Sequence, residues 1–214
     1  MRLEIWAEIF CPWCGLGNHR LNQALKSFEH RTEVQVAHRS YLLDSPREAT
    51  AVAHVLTAKF GVTAQRAVEM ANHVEGLAAR DGLQPYMVVN NRMGNTELAH
   101  EFLAYASAHD MHHEAWQLMF DKYFGEAAPV FTVDDLLPLA DQLGLPRLDV
   151  EQALRGRSYR PQVEDDVNEA SRLGATGVPF IVIDRRYAIP GAVDTPVLLR
   201  ALREAWAHGH EGDD

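Results

Sequence analysis

The chain has 214 residues, 47% hydrophobic and 23% charged, with a formal net charge of −10. A chain of this length and balance buries enough apolar surface to fold without disulfide or metal staples, and its acidity argues against nucleic acid or an anionic membrane surface as a partner. Residues 1–7 lack a cationic stretch leading into an apolar one, and no window of about 18 apolar residues occurs; neither a secretory signal nor a membrane span is expected, and the cytoplasm is the expected location.

Residues 2–9 alternate, Leu3, Ile5, Ala7 and Ile9 against Arg2, Glu4 and Glu8, which predicts a strand. Leu16, Leu21, Ala24, Leu25 and Phe28 follow helical spacing across residues 14–28, and residues 33–38 alternate again. This is a βαβ unit with a cysteine pair at its strand-to-helix junction. Helices are then predicted over residues 63–79, with Ala67, Met70, Val74 and Leu77 on one face and Thr63 as N-cap, over 95–109, and over 113–124. Residues 132–143 form another, opened by a Thr132-Val133-Asp134-Asp135 capping box and carrying Pro138 as a candidate kink, and 149–155 form a short one.

Towards the end the pattern is mixed. Residues 162–173 predict a helix stopped by Gly174, 178–183 a buried strand, 187–189 a short strand, and 195–207 a last amphipathic helix. The polar tail from His208 to Asp214 is expected to fray, and at most to hold a metal loosely. The pattern is α/β, one domain made of residues 1–45 and 160–214 split by an all-helical insertion at 46–159.

The only two cysteines are Cys11 and Cys14, with Pro12 and Trp13 between them. A thiolate is the nucleophile in disulfide exchange. A sulfur at the head of a helix meets unpaired N–H groups and the positive end of the helix dipole, both of which favour its negative form. Pro12 suits the first turn because its missing N–H would be unpaired there anyway. The spacing makes Cys11 the candidate attacking sulfur and Cys14 the resolving one. Zinc would need four ligands, and no second cysteine pair exists; the cluster at His109, His112 and His113 reads as a polar helix end, so no metal is expected. Inert core cysteines are the other alternative, less suited to Trp13 and the strand-to-helix setting.

Pro179 stands at the start of a buried strand, where a proline belongs only at a strand edge or a special turn. A cis bond after Val178 is the natural candidate, leaving the Val178 backbone for an extended substrate; a trans proline at a strand start is the plain alternative.

Cys11-Pro12-Trp13-Cys14, followed by Gly17, together with Gly174-Ala175-Thr176-Gly177-Val178-Pro179-Phe180, resembles the DsbA-like thioredoxin superfamily, and within it the FrnE-type branch. Asn95-Thr96 with Ala99-His100 is similar to that branch's Asn-(Thr/Ser)-x-x-Ala-His helix start, and Ile183-Asp184, Tyr187-Ala188 and Gly191-Ala192 match the family's terminal hairpin. The resemblance implies a thioredoxin-like fold with a helical insertion, thiol–disulfide exchange, a cis proline at Pro179, and substrate contact or tuning by Trp13, whose plainer role is to cover the sulfurs. It also admits glutathione-dependent isomerases of the 2-hydroxychromene-2-carboxylate type and kappa-class transferases, although those usually carry Ser in place of the first cysteine. Gly15, Asn18 and Val193 depart from the usual aromatic, Lys and Gln, departures that bear on the partner surface more than on the chemistry.

The expected activity is protein disulfide oxidoreductase or isomerase, with no bound cofactor beyond the redox-active Cys11–Cys14 disulfide. Its partners would be protein or peptide thiols and disulfides, or small-molecule thiols such as glutathione as co-substrate; the oligomeric state is open, a homodimer included. An isomerase or transferase for an aromatic or polyketide-like molecule, roofed by the insertion, is the second reading, and a redox-sensing or chaperone-like binding module the third. Glu8 is either a buried acid able to take the Cys14 proton or a strand-end charge. His100 either lines the site or is a satisfied helix histidine.

Overall fold

The computed structural model describes residues 1–210. The chain opens with β1 (Arg2–Ala7), α1 (Pro12–Lys26), a 3-10 turn (Arg31–Glu33) and β2 (Gln35–Ser40). There follow β3 (Thr50–Ala51), α2 (Val52–Phe60), α3 (Ala64–Arg80), β4 (Arg92–Met93), α4 (Glu97–Ala108) and α5 (His112–Phe120), which runs on into a π-helical turn (Asp121–Gly125). The remainder is α6 (Val133–Gln142), α7 (Arg147–Arg155), α8 (Arg160–Arg172), β5 (Phe180–Ile183), β6 (Tyr187–Pro190) and α9 (Thr195–His210). No helix among the described residues is long and apolar enough to cross a membrane.

The main sheet has the order β2-β1-β5-β6. β2 is parallel to β1, with Ile5 opposite His38; β5 is antiparallel to β1, with Ile5 opposite Ile181, and β6 is antiparallel to β5. Leu3, Ile5, Ile181 and Ile183 face Leu21, Ala24 and Phe28 of α1 and Leu198 and Leu202 of α9. On the opposite face, Trp6, Phe180 and Val182 pack on Ala170 of α8. The alternation of residues 2–9 suits a strand with one wet face, yet α8 covers that face too. Glu4 is consequently buried, and it is held there by Arg185 and Arg39. Burial alone would raise its pKa; the two guanidinium groups hold it below the ordinary value.

The caps explain several helix starts. The Thr63 hydroxyl accepts from the Arg66 N–H at 3.2 Å, and Thr132 and Asp135 close both arms of their box. α6 runs unbroken through Pro138. Two elements between residues 46 and 159 depart from the all-helical expectation: β3 pairs with β4, Thr50 opposite Met93. A two-residue ladder is too short for alternation to announce it. At the C-terminus, α9 continues past the expected frayed start at His208, whose Nδ1 lies 3.2 Å from the Tyr187 hydroxyl; residues 211–214 lie outside the described residues.

The core of the helical segment includes Ala71, Val74, Phe102, Trp116, Phe124, Leu136 and Leu154, and it is continuous with Ile9, Phe10, Cys11, Cys14 and Leu16. The strand-to-helix turn that carries the cysteines is therefore a shared wall of the helical segment.

Candidate active site

Cys11 is the N-cap of α1, in extended conformation (φ −75°, ψ 112°), and Pro12 begins the helix. The N–H groups of Cys14 and Gly15 donate to the Cys11 carbonyl at 2.9 and 3.3 Å. No acidic side chain lies in the first turn to offset the positive end of the helix. Both cysteines are free thiols, Cys11 7% exposed and Cys14 1%.

The β5 side of this turn is formed by the Gly177-Val178-Pro179 loop. The Val178–Pro179 peptide is cis, and the Cys11 thiol reaches the Val178 carbonyl at 3.8 Å. The Pro179 carbonyl accepts from the Gly191 N–H at 2.8 Å, which ties the loop to the start of the segment leading into α9. Gly17 allows the close approach of α1: a Cβ there would sit 3.0 Å from Pro179 Cγ and 3.4 Å from Ala192 Cβ.

Behind Cys14 the surroundings are polar and closed. The Glu8 backbone N–H donates to Cys14 Sγ at 3.4 Å. Burial, and then the neighbouring Cys11 sulfur, push the Cys14 thiol well above its ordinary pKa. The Glu8 side chain is fully buried. Its Oε1 accepts from the Ile9 N–H at 2.7 Å, the Thr96 hydroxyl at 2.8 Å and His100 Nε2 at 3.3 Å, and its Oε2 accepts from the Leu43 N–H at 3.0 Å. Of the two readings of Glu8, the exposed strand-end charge is thus wrong for this geometry: α4 and the segment after β2 close over it. His100 is buried beside it, edge-on to Trp116, and its Nδ1 has no hydrogen-bond partner.

Trp13 is 37% exposed and leans on His73 of α3, with ring centroids 6.3 Å apart. Beside it a cavity of about 200 Å³ opens onto Cys11, walled by Leu56, Phe60, Met70 and Val74, with Lys59 as its cation. A larger cavity, about 330 Å³, lies between β2, α4, α5 and α8 and touches neither thiol.

The structure thus brings Cys11, Pro12, Trp13, Val178 and Pro179 together at one end of the sheet, with Cys14, Glu8 and His100 behind them. Sequence reasoning missed Tyr86, whose hydroxyl donates to the Pro12 carbonyl between the two cysteines. It lies in the segment joining α3 to β4, with no periodic signal to single it out. Two of the noted departures are buried and do not belong to a partner surface. A Cβ on Gly15 would meet Tyr86 Oη at 2.4 Å and Phe124 at 2.9 Å. Asn18 accepts at Oδ1 from His38 Nε2 at 2.8 Å. The predicted polar helix end also reaches inward, where His112 Nε2 accepts from the His38 N–H at 2.9 Å. Among the described residues, no group of three or more His, Cys, Asp or Glu is placed to hold a metal.

Comparison with known proteins places these features in context. The family described as DSBA-like thioredoxin domain matches residues 2–203. The crystal structure of a probable DsbA oxidoreductase from Streptomyces coelicolor is 36% identical, with a TM-score of 0.90, covering 97% of this chain and 90% of that one. A 2-hydroxychromene-2-carboxylate isomerase superposes with a TM-score of 0.72 at 16% identity, over the whole of both chains. The cytosolic disulfide reductase DsbM of Pseudomonas aeruginosa superposes with a TM-score of 0.61 at 18% identity, covering 99% of this chain and 98% of that one. The last two likenesses concern the fold alone.

Proposed function

The chain belongs to the DsbA-like thioredoxin domain family, and from that premise we propose that it is a thiol–disulfide oxidoreductase working through Cys11 and Cys14. The observation that carries this reading is the contrast at the head of α1: Cys11 lies at the helix start against the Val178 carbonyl of a cis-proline loop, and Cys14 is buried one turn behind it. The Cys11 thiolate attacks one sulfur of a substrate disulfide, forming a mixed disulfide and releasing the other sulfur as a thiolate that takes up a proton. Cys14 gives up its proton and attacks the Cys11 sulfur. The Cys11–Cys14 bond forms and the second substrate thiolate leaves, so the substrate gains the two electrons the protein loses. The reverse sequence donates a disulfide.

Burial makes Cys14 hard to ionise while both thiols are free, which suits a resolving sulfur held away from solvent. Val178 and Pro179 line the approach to Cys11, and Trp13 forms the exposed rim. The same reading places the chain in the FrnE-type branch and in the cytoplasm, with protein or small-molecule thiols as partners and no bound cofactor.

The test is insulin reduction with dithiothreitol, followed by mass spectrometry. Cys11→Ser should abolish turnover, and Cys14→Ser should accumulate a covalent adduct on Cys11. Undiminished turnover by Cys11→Ser would overturn the assignment.

One observation favours a second reading. The apolar cavity at Cys11, walled by α2 and α3, suits a glutathione-dependent isomerase or transferase acting on an aromatic small molecule. Glutathione-dependent turnover that survives Cys14→Ser would select that reading over the first.

A further inference from the structure

We propose that Tyr86 is a positioning residue for the redox pair, its hydroxyl holding the Pro12–Trp13 peptide in the orientation that favours the dithiol form. The proposal rests on the exchange reaction assigned to Cys11 and Cys14 and adds to it a residue from the helical segment.

Tyr86 stands 74 residues from Pro12 and is buried. Its ring stacks on Phe124, with centroids 4.5 Å apart and planes at 23°, and the Met87 N–H next to it donates to the Phe124 carbonyl at 2.7 Å. Ring and backbone are thus both anchored to the π-helical turn. From there the hydroxyl donates to the Pro12 carbonyl, the acceptor midway between the two cysteines. Gly15 keeps the path clear, because any side chain at that position would collide with Tyr86 and Phe124. A buried hydroxyl left without a partner is costly, so the bond persists wherever the ring is seated. Burial, and then the two nearby sulfurs, keep the phenol well above its ordinary pKa, so it is a neutral donor at pH 7.

The Pro12–Trp13 peptide lies between the two cysteines, and the Tyr86 hydroxyl fixes and polarises it through the Pro12 carbonyl. Its N–H, on Trp13, is one of the unpaired donors at the head of α1, and a polarised N–H is a better partner for a negative sulfur. The bond therefore stabilises the reduced pair.

The experiment measures the equilibrium of the Cys11–Cys14 pair with reduced and oxidised glutathione, and the rate of Cys11 alkylation at pH 7. Wild type, Tyr86→Phe and Phe124→Leu are compared, with the thermal midpoint of each. Tyr86→Phe keeps the ring and removes one neutral hydrogen bond. The expected result is a shift of the equilibrium towards the disulfide by about two- to tenfold, roughly 9–30 mV, with slower alkylation. Phe124→Leu loosens the same packing but leaves the hydroxyl, and should lower the thermal midpoint while moving the equilibrium less than Tyr86→Phe does. An equilibrium for Tyr86→Phe within experimental error of wild type, or an equal shift in both variants, would overturn the proposal while leaving the exchange reaction standing. A wild-type pair that never closes under oxidised glutathione would sink both.

Discussion

The two cysteines, one helical turn apart, stand in opposite surroundings. The Cys11 thiol meets the Val178 carbonyl and the neighbouring Cys14 sulfur, and beside it are an exposed tryptophan and an apolar cavity. Cys14 is sealed, with its sulfur on the Glu8 amide and the Glu8 carboxylate held by four donors, one from the adjoining Ile9 and three from α4 and the segment after β2. Exchange asks one sulfur to meet a partner and the other to wait out of reach. The difference comes from the elements that cover each: a loop of the sheet half for Cys11, α4 and the segment after β2 for Cys14. The open side is expected to govern turnover and the closed side stability, and the predictions below test that division.

The largest effect is expected on the closed side. Glu8→Ala would strand the Thr96 hydroxyl, His100 and the N–H groups of Ile9 and Leu43 without their acceptor. At about 1–3 kcal/mol for each unsatisfied buried group, softened by relaxation and entering water, a loss of about 4 kcal/mol is expected. Urea unfolding measures it. A loss below about 1 kcal/mol would mean that Glu8 does not clamp this side. Gly15→Ala is the next test. Its Cβ would displace Tyr86 and Phe124, and the overpacking, partly offset by the better helix propensity of Ala, is expected to cost about 2 kcal/mol. A thermal midpoint at or above that of wild type would contradict it.

The closed side is also expected to be the acid-sensitive one. One turn after Cys14, Asn18 pairs with His38. Burial, and then the charges of His112 and His113, lower the pKa of His38 to about 3 from 6.5. A histidine with a depressed folded value is protonated first in the unfolded chain. The unfolded state therefore binds more protons between about pH 3 and 6.5, and stability falls as pH drops through that window. His112, lowered by burial, acts in the same sense. Between pH 7.5 and 5 the expected loss from His38 is about 2 kcal/mol. The carboxylates lowered by arginine partners, such as Glu4, weaken the fold only at more acid pH. Urea unfolding at both pH values checks the slope, and His38→Gln should flatten it. An unchanged slope in that variant would assign the effect elsewhere.

What could be read from the sequence follows the same division. The open side is written in two short runs, Cys11-Pro12-Trp13-Cys14 and Gly177-Val178-Pro179, whose residue types carry their chemistry locally: a proline at a helix start, a proline at a strand start, two thiols at one-turn spacing. The fold around them was legible for a similar reason, because β1, α1, β2 and the last three elements have clear periods. The closed side is assembled from distant positions. Glu8 falls on the polar phase of an alternating strand, and only Leu43, Thr96 and His100 reveal that it is enclosed. Tyr86 lies in an irregular segment, so no period could bring it to Pro12. Gly15 and Asn18 stood out as departures from a family pattern, but each is explained by a buried neighbour, Tyr86 and His38, that the local sequence does not contain. β3 and β4 were invisible because two residues make no pattern.

The smallest stability change separates the two sides most cleanly. Gly17 lies on the open side of α1, where a Cβ would stand 3.0 Å from Pro179 Cγ. This is a gentler crowding than at Gly15, and the gain of about 1 kcal/mol in helix propensity should nearly cancel it. The thermal midpoint of Gly17→Ala is therefore expected to stay within a few degrees of wild type. Turnover should respond more strongly. Pro179 must yield by a few tenths of an ångström, and Val178, whose carbonyl meets the Cys11 thiol, moves with it. A fall of several-fold in insulin reduction, at unchanged stability, is the expected result, because small misplacements at a reacting centre weigh heavily on rate. Gly15→Ala should show the converse, a larger stability loss for a comparable change in turnover. If Gly17→Ala cost stability and spared turnover, the division of labour between the two sides of the turn would have to be abandoned.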